Sequence, residues 1–182
     1  MERLHVDEGK GDRMSKIVNE PKNTFPLFVK VREQLEHRAL WLYLLVDEAR
    51  KHGLADDAFA ADAVKRCGLY QGAEIVGKSG TKSLKGLKKV LFTKSAQIVF
   101  EMKVVECTDD KLSIDFHYCP LVKAWQKQGC TDEEISRLCD LAMCGDRGVE
   151  LDLPKTIARG DDCCAIRYVR RDGASAPRSD MR

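Results

Sequence analysis

Residues 97–120 read QIVFEMKVVECTDDKLSIDFHYCP, and the hydrophobic period of this stretch decides the fold. Apolar side chains recur at every second position, first at Ile98, Phe100, Met102 and Val104 and then at Leu112, Ile114, Phe116 and Tyr118. A period of two is typical of half-buried strands, and the segment 108–111 between the two runs consists of turn-forming residues. The stretch therefore predicts strands at about 97–106 and 112–119 that pair as a hairpin through a tight turn at 108–111.

Helical periodicity is found on both sides of this hairpin. Helices are predicted near 30–52, 56–67 and 81–94, and the glycine-rich segment 68–80 is interpreted as an irregular connection. After the hairpin, Pro120 begins a short helix, and Thr131 with Glu134 forms a capping box that opens another. A last strand pair is predicted at about 149–158 and 163–170. The pattern predicts an α+β fold, in which an antiparallel sheet of two hairpins, about four strands, packs with helices against one face.

Composition limits the number of domains and the kinds of partner. The 182 residues, 43% of them hydrophobic, suit a single domain, assigned to 25–170. Residues 1–24 are polar and lack periodicity, which predicts a poorly packed N-terminal arm, and 171–182 read as a disordered tail. Thirty-one Lys and Arg against 29 Asp and Glu leave a charge of +2, which argues against a nucleic-acid partner. Neither a membrane-spanning run nor a signal peptide is found, which predicts a cytoplasmic protein without a membrane partner.

The chain has eight cysteines, and their spacing sets the expected chemistry of the thiols. No Cys-x-x-Cys motif is present, so neither a zinc ribbon nor a thioredoxin motif is found, and no metal site and no cofactor are predicted. The cytosolic interpretation and the lack of a recognised disulfide framework predict no structural disulfide. In a reducing cytosol, a thiol is ordinarily a small buried hydrophobic group. Packing in the core, without a chemical role, is therefore the default interpretation of each cysteine.

One face of the second predicted strand carries residues suited to catalysis. Strand alternation places Asp115, His117 and Cys119 on the same side, together with Ser113. Neighbouring side chains on one strand face are about 6.5–7 Å apart, so the imidazole could lower the thiol pKa and Asp115 could orient the imidazole. The alternative is a satisfied polar histidine and a cysteine that only packs at the strand end.

Three segments resemble a known family. They are DFHYCPLVKAW at 115–125, LCDLAMCGDRG at 138–148 and KTIARGDDCC at 155–164. Together they are similar to the C-terminal half of the L-2-amino-thiazoline-4-carboxylic acid hydrolase family, and a looser similarity covers most of residues 30–170. The resemblance implies that water adds to C2 of a thiazoline ring, that the ring C–S bond breaks, and that N-carbamoyl-L-cysteine is the product.

This resemblance also suggests which residues form a substrate site. Cys119, with His117 and Asp115, is the expected catalytic group, and Cys139 and Cys164 are expected near the substrate. Cys139 lies on the buried stripe of its helix and could meet the other two thiols in a pocket, a soft-metal site or a cysteine-tolerant core. Arg147 is a candidate for binding the substrate carboxylate, and Asp146 lies beside it; a surface ion pair between these two is the alternative.

Two other classes of protein remain open at this point. The first is a non-catalytic small-molecule-binding domain, since the order of helices and hairpins is similar to the vinyl-reductase-like layout. The second is a metal or redox sensor that uses Cys119, Cys139, Cys144 and Cys164. A small-molecule substrate is the expected partner, and a homo-oligomer is possible.

Overall fold

A computed structural model describes residues 15–54, 57–145 and 149–170. These residues form six α-helices, one 3-10 turn and four strands. The helices are α1 (Pro26–Lys51), α2 (Ala58–Ser79), α3 (Leu84–Leu91), α4 (Lys94–Val99), α5 (Pro120–Lys127) and α6 (Asp132–Met143). The strands are β1 (Met102–Cys107), β2 (Lys111–Phe116), β3 (Val149–Asp152) and β4 (Cys164–Arg170), and the 3-10 turn is Ile157–Arg159. None of the described helices is long and apolar enough to cross a membrane.

The four strands form one antiparallel sheet in the order β1-β2-β4-β3. The two predicted hairpins and the α+β class are therefore confirmed. Thr108 N donates to the Lys111 carbonyl over 2.8 Å, which closes the predicted turn between β1 and β2. The register then pairs Ile114 with Val104 on one side and with Ile166 of β4 on the other.

Both hairpins are shorter than the period of two indicates. The first strand begins at Met102 and not near 97, because the Thr93 side chain accepts a hydrogen bond from Ala96 N and caps α4. Glu101, with φ of 51°, then turns the chain from this helix into the strand. The third strand ends at Asp152, and the chain forms the 3-10 turn where the sequence predicted strand up to residue 158.

Helix α2 continues through the segment that was interpreted as a connection. It ends at Ser79, and Gly80, with a φ of 67°, caps it twelve residues beyond Gly68. A Cβ at position 68 would lie 1.9 Å from the carbonyl oxygen of Gly145, just after α6. Gly68 therefore permits close contact between two backbones inside a helix and does not end the helix.

The core lies between the sheet and the helices. Leu112 and Ile114 of β2 have no exposed surface, and Trp125 of α5 and Leu138 of α6 are 1% exposed. The indole Nε1 of Trp125 donates to the Ala39 carbonyl of α1 over 3.1 Å, so the buried indole keeps a polar partner. The apolar face of the hairpin is thus the face that the helices cover.

The described part of the N-terminal arm, residues 15–24, is mostly exposed, but two of its residues anchor it to the domain. Ile17 and Asn19 are buried. The Gln126 side chain donates to the Ile17 carbonyl, and the backbone N–H groups of Lys22 and Asn23 both donate to the Glu101 carboxylate. These contacts are with residues about 80 to 110 positions away, which local periodicity does not reveal. The domain boundaries stay a prediction, and the predicted tail at 171–182 lies outside the described residues.

Candidate functional site

Cys119 stands at the junction between the sheet and α5. It occupies the position just before the first residue of the helix, Pro120, in an extended conformation (φ −128°, ψ 109°). The Asn19 side chain holds its backbone on both sides: Asn19 Nδ2 donates to the Cys119 carbonyl over 2.8 Å, and Cys119 N donates to Asn19 Oδ1 over 2.9 Å. Asn19 is 2% exposed, so these two hydrogen bonds are shielded from water. The N-terminal segment therefore fixes the orientation of Cys119.

The environment of the Cys119 thiol is dry. Burial is the largest influence on its pKa and raises it, while the backbone N–H groups of Val122 and Leu121 at the start of α5 oppose the rise. The residue as a whole keeps some accessible surface, but the sulfur itself is shielded. The Cys119 thiol is therefore protonated, and the two N–H groups can stabilise negative charge when it forms there.

Cys139 and Cys164 lie close enough to Cys119 to affect one another's ionisation. The pKa of Cys139 is raised to about 12, first by burial and then by the proximity of Cys119. The Cys164 pKa is also raised, first by burial and then by Cys119, although the Ile157 N–H donates to its Sγ over 3.3 Å. We call Cys119, Cys139 and Cys164 the thiol cluster. It joins the N-terminus of α5, the buried face of α6 and the first residue of β4.

The thiol cluster belongs to the protein core. All three members pack with the large apolar cluster between the helices and the sheet. All eight cysteines of the chain are free. Within the described residues, no group of three or more His, Cys, Asp or Glu side chains is arranged to hold a metal ion. The raised pKa values of its three members make the cluster a set of neutral, desolvated thiols.

The predicted relay from Asp115 through His117 to Cys119 does not match the contacts. The Asp115 carboxylate forms an ion pair of 2.6 Å with Arg167 on the neighbouring strand. His117 is exposed, and its backbone N–H donates to the Glu101 carbonyl. The Cys119 thiol is buried and does not lie with the imidazole on an open strand face. The strand was predicted to reach residue 119, but β2 ends at Phe116, so its alternation of faces no longer applies to His117 and Cys119. The expectation that an imidazole lowers the Cys119 pKa is therefore replaced by a thiol whose pKa burial raises.

The turn before β4 contains residues that sequence reasoning did not assign to the site. Arg159 forms a 2.6 Å ion pair with Asp140, the residue after Cys139. Thr156 is 2% exposed, and its Oγ1 lacks a hydrogen-bond partner among the described residues. The side chain of Asp161 accepts from Thr156 N over 2.8 Å and shapes the turn. Arg159 and Thr156 both lie in the segment 155–164 that carries the family resemblance. This resemblance is the feature of the sequence that could have identified them.

Asp146 and Arg147 lie outside the described residues, so their place beside the thiols stays a prediction. Two concavities that the described residues form are found elsewhere. One is an apolar groove between α1 and α4, and the other is a shallow depression on α2. Neither is lined by a member of the thiol cluster, so neither is a pocket in which the three thiols meet.

Three comparisons place the chain among known proteins. A crystal structure of a trafficking protein particle complex subunit 3 from Naegleria fowleri, covalently bound to palmitic acid, is 19% identical over 75% of this chain and 95% of its own, with a TM-score of 0.44. That score is too low for the likeness to indicate a function. No curated protein matches the chain. The family model described as L-2-amino-thiazoline-4-carboxylic acid hydrolase matches residues 32–168, a range that includes the whole thiol cluster. The chain therefore belongs to the L-2-amino-thiazoline-4-carboxylic acid hydrolase family.

Proposed function

We propose that this protein is a hydrolase that opens a thiazoline ring by adding water to C2, with N-carbamoyl-L-cysteine as the product. The observation that carries the proposal is the thiol cluster. The three segments that resemble the family lie apart in the sequence, and each contributes one thiol to this cluster. Family membership supplies the class of reaction, and the contacts of Cys119 suggest how its thiol takes part.

The protonated state of Cys119 suits a first step in which it acts as an acid. The ring nitrogen of a 2-amino-thiazoline is basic, so it can take the thiol proton and leave an amidinium beside a thiolate. The Leu121 and Val122 N–H groups then stabilise this thiolate, which forms a bond to C2. The electrophile and the nucleophile are thus generated by one proton transfer, and a separate imidazole is unnecessary.

The remaining steps need one further proton donor. When the C2–S bond of the ring breaks, the departing sulfur takes a proton from Cys139 or Cys164, both of which are protonated. Water then attacks C2 and returns a proton to that thiolate. Loss of the Cys119 sulfur, which regains its own proton, leaves the carbamoyl group. The sum is one substrate and one water converted to one product, with every thiol restored.

The substrate carboxylate requires a cation in this scheme. Arg147, the candidate from the sequence, keeps that role as a proposal. Arg159 is a second candidate, because its guanidinium is bound to Asp140 next to Cys139. A planar guanidinium can bind a carboxylate through two parallel hydrogen bonds. Alanine substitution of each arginine should separate them, since loss of the binding cation raises KM.

The test is a product assay with L-2-amino-thiazoline-4-carboxylate. The wild type should form N-carbamoyl-L-cysteine, and Cys119→Ser should reduce the rate at least about a hundredfold, because the thiol is both acid and nucleophile. His117→Ala should stay within a few-fold of wild type, since that imidazole is exposed. Cys67→Ser, which alters an exposed thiol on α2, is the matched control. Absence of product with the wild type, or full activity of Cys119→Ser, would overturn the proposal.

A non-catalytic small-molecule-binding domain is the second candidate. The raised thiol pKa values favour it, because a binding site does not need an ionised nucleophile. In that case calorimetry would show that wild type and Cys119→Ser bind the thiazoline equally, and neither would release product. Turnover by the wild type decides between the two functions.

A further inference from the structure

One face of α2 has the residue spacing of a helix–helix interface. Its residues are separated by four and three positions in alternation: Phe59, Ala63, Arg66, Tyr70, Ala73 and Gly77. We call this set the α2 seam. An alternating 4-3 spacing keeps one stripe of a helix facing a partner helix along its whole length. All six residues are exposed, so the stripe has no partner among the described residues.

Helix α2 receives little burial from its own chain. Every residue of α2 is described, and Ala60 is the one buried residue among the 22. Phe59 and Tyr70 of the seam are 42% and 62% exposed, and Leu69 beside them is 45% exposed. A shallow concavity opens on the same face, lined by Ala63, Arg66, Cys67 and Tyr70. A helix of this length with an apolar, indented face is typical of an interaction surface.

The composition of the seam is complementary to itself in the antiparallel direction. Residues at equal distances from the helix middle form three pairs: Phe59 with Gly77, Ala63 with Ala73, and Arg66 with Tyr70. The first pair sets the largest side chain opposite the smallest. The third sets a guanidinium opposite an aromatic ring, an arrangement that cation–π attraction favours. A two-fold axis between the two helices of an antiparallel pair makes each of these contacts occur twice.

Contacts within the described chain do not explain two glycines of α2, Gly72 and Gly77, and the one that lies on the α2 seam is Gly77. A Cβ at this position would meet nothing within 4 Å, and its φ is not positive. Glycine weakens a helix interior relative to alanine, so its presence here gives no benefit to the isolated chain. The absence of a side chain at Gly77 leaves space for a large side chain of a second molecule, and this would explain the glycine.

We propose that the α2 seam is the interface of a homodimer, in which α2 packs antiparallel against α2 of a second copy. Gly77 accommodates Phe59 of the second copy, Ala63 faces Ala73, and Arg66 packs on Tyr70. If the α2 seam binds a different protein or no protein, the wild type will be monomeric in sedimentation equilibrium. The inference is independent of the proposed hydrolase function, since it uses none of the thiol cluster.

The first experiment measures the molar mass of the full chain by sedimentation equilibrium over a wide concentration range. The wild type should form dimers, and Gly77→Gln should weaken the dimer at least about tenfold, because the new side chain fills the space of Phe59. Gly72→Ala is the matched control: it is a glycine of the same helix off the seam, and its Cβ also meets nothing within 4 Å. Circular dichroism should show unchanged helix content in both variants. A monomeric wild type, or a Gly77→Gln dimer as strong as wild type, would overturn the proposal.

The second experiment tests the direction of pairing. In a Cys67→Ser background, one variant carries Ala63→Cys and another carries Ala73→Cys. Antiparallel pairing predicts that mild oxidation of the mixture gives a disulfide between the two variants, while each variant alone gives far less. Cross-linking of each variant alone with none between them would indicate parallel pairing and contradict the proposed register.

Discussion

The raised pKa of Cys139 predicts how protein stability depends on pH. The thiol has an ordinary pKa of 9.0 when unfolded, and burial raises the pKa to about 12 in the folded chain. A group whose folded pKa is raised binds its proton more tightly in the folded state. Its contribution to stability is therefore complete below about pH 9 and is lost as the pH rises toward 12. At pH 10 about nine-tenths of the unfolded thiol has ionised while the folded thiol has not, which costs about 1.4 kcal/mol.

Substitution of Cys139 by alanine isolates this contribution. From pH 7 to pH 10 the free energy of unfolding should fall by about 1.4 kcal/mol less in Cys139→Ala than in the wild type. The packing lost with the sulfur affects both pH values equally, so it cancels in the comparison. With a urea m-value of about 2 kcal/mol/M, the difference corresponds to about 0.7 M in the unfolding midpoint. Fluorescence of the buried Trp125 reports the transition, measured under reducing conditions.

Cys67→Ala is the control for this experiment, because Cys67 is exposed on α2. It should follow the wild-type pH dependence. If Cys139→Ala also followed the wild type, the Cys139 thiol would ionise equally in the folded and unfolded chain. The thiol would then be in contact with water, and the argument for a desolvated thiol cluster would be refuted.

Three further predictions concern the contacts that hold the site in place. Arg32→Met should lower the free energy of unfolding by about 3–5 kcal/mol in a urea titration, because the buried guanidinium donates to the Val99 and Asn23 carbonyls and pairs with Glu101; a loss below about 1 kcal/mol would show that the pair is dispensable. Gly68→Ala should lower stability by about 1–3 kcal/mol in the same assay, because its Cβ would collide with a backbone oxygen, and an unchanged midpoint would contradict this close approach. Thr131→Ala removes the capping box of α6 and should cost about 1 kcal/mol in thermal unfolding, whereas an equal melting temperature would mean that the cap contributes nothing.

Local sequence patterns were sufficient to predict the sheet and most of the helices that pack with it. The period of two in β2 places Leu112 and Ile114 in the core, and both are fully buried. The Thr131 capping box is formed as predicted, since a cap depends on residues three positions apart. Family membership followed from short motifs, and the family match confirms it. These features depend on neighbours in the sequence, so the sequence reveals them directly.

Contacts between distant residues decided the rest. The sequence places the end of a helix just before position 68, whereas Gly68 lies in the interior of α2. Its missing side chain allows Gly145, 77 residues later, to pack against it. Asn19 sits in a polar segment without periodicity, yet it holds the backbone of Cys119, 100 residues away. A hydrophobic pattern records which face of an element is buried, and it does not record which element covers that face.

The chemistry of the site shows the same division. The sequence by itself determined that Cys119, Cys139 and Cys164 are present in segments that resemble the family. The tertiary structure decided that they are near one another and that His117 is exposed. The ionisation of a thiol depends on its exposure to water and on charges within a few ångströms, and both are properties of the packed chain. The motifs that contain these thiols are therefore visible in the sequence, whereas the protonated state of the thiols depends on the fold.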